Sequence, residues 1–170
     1  MSNIRIQLDN ASKLFDAGSY MQAAELYSTV IAAKTTESTA YSGRARCYYR
    51  LGQLNLALAE LARAIELAPR PGTYFTRGRY HLEAGRFHDA CVDFSNVLEL
   101  ERELQERPFF EAAAFFRAEA NLNLGRFEDA LRDCAEIKED FSLWVLGRVR
   151  TRDEIIRDAK AGLGDPWPQP

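Results

Sequence analysis

One pattern is written four times along this chain, and it restricts the fold more than any other property of the sequence. Over residues 40–100 two copies stand back to back. The first reads Tyr41-Ser-Gly-Arg44-Ala45, Gly52-Gln-Leu54-Asn-Leu-Ala57 and Ala64-Ile-Glu-Leu67-Ala-Pro69. The second reads Tyr74-Phe-Thr-Arg77-Gly78, Gly85-Arg-Phe87-His-Asp-Ala90 and Val97-Leu-Glu-Leu100. The same punctuation returns as Gly18-Ser-Tyr20-Met-Gln-Ala23 upstream and Gly125-Arg-Phe127-Glu-Asp-Ala130 downstream. The marker alanines at 23, 57, 90 and 130 are 34, 33 and 40 residues apart. A period of this size describes a small unit that buries its apolar face only against its neighbours.

Each unit divides into two helices at its glycine. Gly18, Gly52, Gly85 and Gly125 end the first helix, because a left-handed terminus strains a residue that carries a Cβ. The second helix opens two residues later, at Tyr20, Leu54, Phe87 or Phe127. Seven residues before each glycine stands Ala11, Ala45, Gly78 or Ala118, and five after it the marker alanine. These small columns are where two antiparallel helices approach most closely. Bulky apolar residues lie between them at helical spacing, such as Leu26, Tyr27 and Val30, or Leu58, Leu61 and Ile65.

The columns resemble the tetratricopeptide repeat family, whose unit is a helix-turn-helix of about 34 residues. The resemblance covers residues 4–140 as four units: 4–37, 38–70, 71–107 and 111–144. It implies an all-α fold, a right-handed α-solenoid of stacked antiparallel helix pairs forming one domain over residues 1–162. Pro69 occupies the family's closing proline, while Thr35 and Arg102 replace it in units one and three. His81 and Asn121 sit where the family usually has an apolar residue or tyrosine.

The long step before unit four places about six extra residues in 99–107, with Arg102/Glu106 and Glu103/Arg107 four apart. This charged stretch is expected to prolong the second helix of unit three until Pro108 stops it. Thr151-Arg-Asp-Glu154 spells a capping box, so a helix over about 151–161 is expected to close the stack. Residues 141–149 are apolar but ambiguous in conformation, and no strand is expected anywhere. Residues 163–170, with three prolines, read as a flexible tail. Docking of Trp167 into a groove is the alternative.

Composition narrows the function. A net charge of −3 and a pI near 5.5 argue against a protein built to coat nucleic acid or an acidic membrane. No signal-like apolar core opens the chain, and no run of about 18 apolar residues exists, so a soluble cytoplasmic protein is expected. Cys47, Cys91 and Cys134 are odd in number, far apart and at helical core positions, where thiols are inert. His81 and His88 lack a third ligand at metal-site spacing. Neither a phosphate loop nor a serine elbow is present. The expectation is a non-enzyme with no cofactor and no metal.

What remains is surface. The resemblance implies that the first helices line a concave groove, with equivalent residues of adjacent units about 8–10 Å apart. One column reads Ser12, Arg46, Arg79, Glu119, and the turn before it Leu8, Ser42, Phe75, Phe115. A turn later come Phe15, Tyr49, Leu82, Leu122, beside Asp16, Arg50, Glu83, Asn123. The candidate ligand-binding residues are therefore Arg46, Arg79, Arg50, Tyr49, Phe75, Phe115, Ser12 and Ser42. An arginine centre with an aromatic border suits a peptide or protein surface carrying acidic and apolar groups.

The competing expectation is that these charges tie repeats together, Arg50 lying between Asp16 and Glu83, and Arg79 near Glu83 and Glu119. Arg46 alone has no lateral carboxylate. Arg44, Arg77 and Arg117 face the packing side, where their stems cover apolar neighbours.

Co-chaperones of the family hold a C-terminal carboxylate with lysine and asparagine on these helices. Here Leu8 and Ser12, Ser42 and Arg46, Phe75 and Arg79 stand instead, so a heat-shock-protein tail is not the expected ligand. Alternatives are a self-associating module forming homo-oligomers and an inhibitor or immunity-type partner of another protein. RNA binding rests only on the eight basic and three acidic side chains of residues 39–87, and no nucleic-acid partner is expected.

Overall fold

The computed structural model describes residues 3–33, 37–105 and 107–164. Eight helices come first: α1 (Asn3–Asp16), α2 (Tyr20–Ala32), α3 (Ser38–Arg50), α4 (Leu54–Leu67), α5 (Pro71–Glu83), α6 (Phe87–Leu104), α7 (Phe110–Asn123) and α8 (Phe127–Cys134). A hairpin of β1 (Ser142–Val145) and β2 (Arg148–Thr151) and a last helix, α9 (Arg152–Gly162), follow. The chain divides into two compact units, Met1–Thr73 and Tyr74–Pro170, with the boundary inside α5.

In the first unit α2 packs against both α1 and α3, and α3 against α4. The small columns carry these contacts: Ala11, Ala23, Ala45 and Ala57 are completely buried. Tyr27, Val30 and Cys47 fill the space the alanines leave. In the second unit the counterparts Ala90, Ala118 and Ala130 are likewise fully buried, and a Cβ on Gly78 would press on the Phe94 ring. Phe94, Phe110, Phe115 and Phe116 dominate that core.

The four glycines end their helices in one way. The glycine N–H bonds back three residues, to Phe15, Tyr49, Leu82 or Leu122. The next N–H bonds back five, to Leu14, Tyr48, His81 or Asn121. This double bond is the Schellman arrangement and needs the positive φ of 70–79° found at each glycine.

Two sequence expectations are corrected in the second unit. The extension of α6 stops at Leu104, short of 107, because Gln105 turns left-handed at φ 56°. Arg107 then turns away from Glu103 to lie over the Phe110 ring at 3.5 Å, and Arg102 donates to Glu136 at 2.8 Å. Glu106 lies outside the described residues, as do Thr35 and, with Trp167, residues 165–170 of the tail. The second correction is a strand pair where no strand was expected. Residues 142–151 form an antiparallel hairpin with Trp144 opposite Val149 and Leu143 opposite Arg150. Its turn residues, Leu146 and Gly147, both have positive φ, 48° and 87°, which matches the twist of a two-residue hairpin.

One face of the hairpin is buried through Val145 and Arg150; the other shows Trp144 and Val149 to solvent. Arg150 is 1% exposed and donates to Glu119 at 3.1 Å and Asp158 at 2.8 Å. Thr151 caps α9: its hydroxyl accepts from the Glu154 N–H while the Glu154 carboxylate accepts from the Thr151 N–H. Ile155 and Ala159 then bury the apolar stripe of α9. The fold is all-α apart from this hairpin. No helix among the described residues is long and apolar enough to cross a membrane.

Candidate functional site

A ladder of ion pairs, one within each of the last three helix hairpins, sets their first helices in place. Arg44 grips Glu60 at 2.8 Å and Arg77 grips Asp93 at 2.6 Å, while Arg117 grips Asp133; each pair is sixteen residues apart. These arginines do face the packing side, with side chains 17–21% exposed. Their purpose extends beyond covering apolar atoms, because each planar guanidinium ties the first helix of a pair to the second. Sequence reading missed the carboxylates, although they form a column of their own eight residues after each glycine. The first repeat has Asn10 and Leu26 at these positions and no such pair.

In the second unit the ladder takes up the irregular residues. Asn121 donates to Asp133 at 3.0 Å and accepts from the Cys91 thiol at 3.3 Å. His81 lies 3.9 Å from Asp93, and burial holds its pKa below the usual value. A cavity of about 470 Å³ opens beside this network between α6 and α8, but its floor of Arg117, Asn121 and Asp133 is already internally bonded. Burial pushes the thiols of Cys47 and Cys91 up to about 11 and that of Cys134 to about 12, so none is a nucleophile at neutral pH. No group of metal-binding side chains occurs among the described residues.

The first unit presents an open site on α1 and α3. Ser12, Ser42 and Arg46 line one cavity of about 400 Å³, together with Arg5, Gly43 and the buried Tyr27. Arg46 is exposed, and its guanidinium lies over the Phe15 ring, 4.2 Å from the centroid. Among the described residues it makes no hydrogen bond or ion pair. Stacking of this kind fixes the group in place without using its in-plane N–H donors. Arg50 is held the same way by Tyr20, at 4.6 Å, rather than by the carboxylate of Asp16. Tyr49 is half-buried on the same helix.

The second unit keeps less of the proposed surface. Arg79 is exposed and pairs with Glu83 at 3.5 Å, as its spacing foretold, with Phe116 at 5.8 Å from its guanidinium. Glu119 is not beside it: this carboxylate is 5% exposed and taken by Arg150. Phe115 is completely buried against Phe141 and offers no contact surface. The cause is the C-terminal hairpin and α9, both of which pack on α7. Phe75 is half-buried within a ring cluster, 5.0 Å from Phe109 and 5.8 Å from Phe116.

Comparison with known proteins fits this architecture. Family models described as tetratricopeptide repeat match residues 14–74 and 75–141. A curated relative, DnaJ homolog subfamily C member 3 of Gallus gallus, is 30% identical over 97 residues, which is 57% of this chain. The aligned part spans 19% of that relative's length. Among solved structures, a crystal structure of MamA protein aligns over 95% of this chain and 83% of its own, with TM-score 0.74 and 15% identity. The first repeat domain of Spaghetti (RPAP3), bound to an HSP90 peptide, aligns over 71% of this chain and 92% of its own, with TM-score 0.63 and 23% identity. A repeat protein from Parabacteroides merdae aligns over 96% of this chain and 60% of its own, with TM-score 0.68 and 19% identity.

Proposed function

This chain belongs to the tetratricopeptide repeat family, and from that premise we propose that it is a non-catalytic adaptor whose first helices hold a peptide segment of a partner protein. The segment carries an acidic group beside apolar side chains. In the first unit Arg46 receives the acid, Ser12 and Ser42 border it, and Arg50 and Tyr49 extend the contact. In the second unit Arg79 and Phe75 offer a smaller polar and aromatic patch, where Glu83 must be displaced before Arg79 meets an anion. The observation that carries this reading is the Arg46 guanidinium, stacked on Phe15 yet unclaimed by any carboxylate among the described residues.

The test begins with peptides selected for binding to the full chain from a random display library. Arg46→Glu weakens the selected peptides by about 10- to 100-fold in calorimetry, the scale of a lost charge-assisted hydrogen bond. Its far-UV circular dichroism stays that of the unaltered protein. Undiminished affinity removes Arg46 from the site.

Self-association is the second reading. It is favoured by Trp144, 67% exposed, which stands directly across the hairpin from Val149, 57% exposed. Sedimentation velocity at two concentrations separates the readings: a strict monomer at both excludes it, and a larger species that Trp144→Ser dissolves supports it.

A further inference from the structure

The α1–α3 cavity has one floor residue whose hydroxyl the repeat pattern does not explain. Nine residues after the repeat glycine stand Tyr27, Leu61, Phe94 and Cys134, so only the first unit brings a phenol to this column. Tyr27 is 5% exposed, and its ring tip lies against Gly43 of α3. A Cβ on Gly43 would collide with Cζ and both Cε atoms of that ring. The missing side chain is the slot through which Tyr27, rooted on α2, reaches the cavity that Gly43 also lines. Its hydroxyl makes no hydrogen bond to any described residue. Packing alone asks for a phenylalanine here, as at Phe94.

The surrounding groups define what the hydroxyl can meet. Arg5 and Arg46 line the cavity, and neither pairs with a carboxylate among the described residues. Asp9, also on the wall, is engaged by Lys13 at 2.6 Å. The hydroxyl protons of Ser42 and Thr39 are directed elsewhere, to the Ser38 carbonyl at 3.1 Å and to Glu37 at 3.3 Å. The open groups are thus donors: two guanidiniums, Ser12 and Tyr27. Burial pushes the Tyr27 phenol up, so it keeps its proton at neutral pH. A cation is repelled by such a wall, and an apolar side chain would leave the phenol buried and unpaired.

We propose that Tyr27 is the specificity-determining donor of this cavity, its hydroxyl binding the carboxylate of an acidic side chain of the partner segment beside Arg46. The inference rests on the reading of α1 and α3 as a peptide-binding face, and names what that face selects. A glutamate or aspartate carboxylate, with its two oxygens, accepts from the phenol and the guanidinium together. The matching amide brings one uncharged acceptor oxygen in place of two charged ones and binds more weakly.

The experiment uses the full 15N-labelled chain, titrated with N-acetyl-glutamate α-methylamide, its glutamine analogue and inorganic phosphate. The glutamate compound is expected to shift the amides of Ser12, Ser42 and Gly43 saturably, and the glutamine analogue to bind more weakly. Tyr27→Phe, which keeps the ring in the Gly43 slot, weakens that binding by about tenfold, the scale of one hydrogen bond to a charged group. Arg46→Met weakens it too. Unchanged affinity in Tyr27→Phe with loss in Arg46→Met overturns the role of Tyr27 and leaves the peptide-binding face standing. No saturable shift in the unaltered protein overturns both. Tighter binding of phosphate than of the glutamate compound marks a general oxyanion site and overturns the acidic side chain as its ligand.

Discussion

Arg150 keeps its charge at 1% exposure because two carboxylates reach it, one on α7 and one on α9. Removing the arginine leaves Glu119 buried without compensation, whereas Asp158 keeps Arg157 at 3.0 Å. Arg150→Met is expected to lower stability by about 3–5 kcal/mol in urea unfolding. Adding Glu119→Leu should return much of that loss, because the stranded carboxylate goes with it. Were the two changes simply additive, the pairing would not be the cause. At this scale the sequence was readable where residues repeat. The arginine column at 44, 77 and 117 stood out, and its acid column was equally available. Glu119 was misplaced, because its partner lies 31 residues away on an element that no periodicity announced.

Among the elements, helices were legible and the hairpin was not. Helix positions follow from a glycine, two small columns and apolar spacing, all local and all written four times. The hairpin occurs once, its turn is Leu-Gly in place of Asn-Gly, and its inward face holds an arginine that breaks the alternation. The start of α9, by contrast, was spelled out in four residues. Thr151→Ala should cost about 1 kcal/mol of stability.

The same cap carries a pH dependence. The bond from the Thr151 N–H holds the Glu154 carboxyl below its ordinary 4.5. A depressed carboxyl contributes stability above that ordinary value and loses it as pH falls through the lower, folded-state value. The difference in thermal midpoint between the natural chain and Glu154→Gln is therefore expected to hold steady from pH 7 to about pH 5 and to shrink below 4.5. A difference that grows on acidification would contradict the assigned bond.

For the molecule as a whole, burial is uneven, and so local stability should be too. Nine of the fourteen residues of α7 are buried, whereas α1 buries only Ala11. Amide hydrogen exchange followed by mass spectrometry should find α7 protected at least tenfold longer than α1, since a helix with few buried contacts opens locally. Equal protection would mean that opening is global. The partner's identity stayed illegible in the sequence for a related reason: repeats share their packing residues, while recognition rests on the few exposed ones. The three thiols supply a practical handle on that question. Cys47, Cys91 and Cys134 are all buried and unpaired, with ionisation displaced to about 11 or 12. A maleimide dye should pass over them in the native protein and attach only to a cysteine added outside, for instance by Asp9→Cys on the cavity wall. A single fluorophore at the mouth of the cavity, with all three native cysteines kept, would then report occupancy directly.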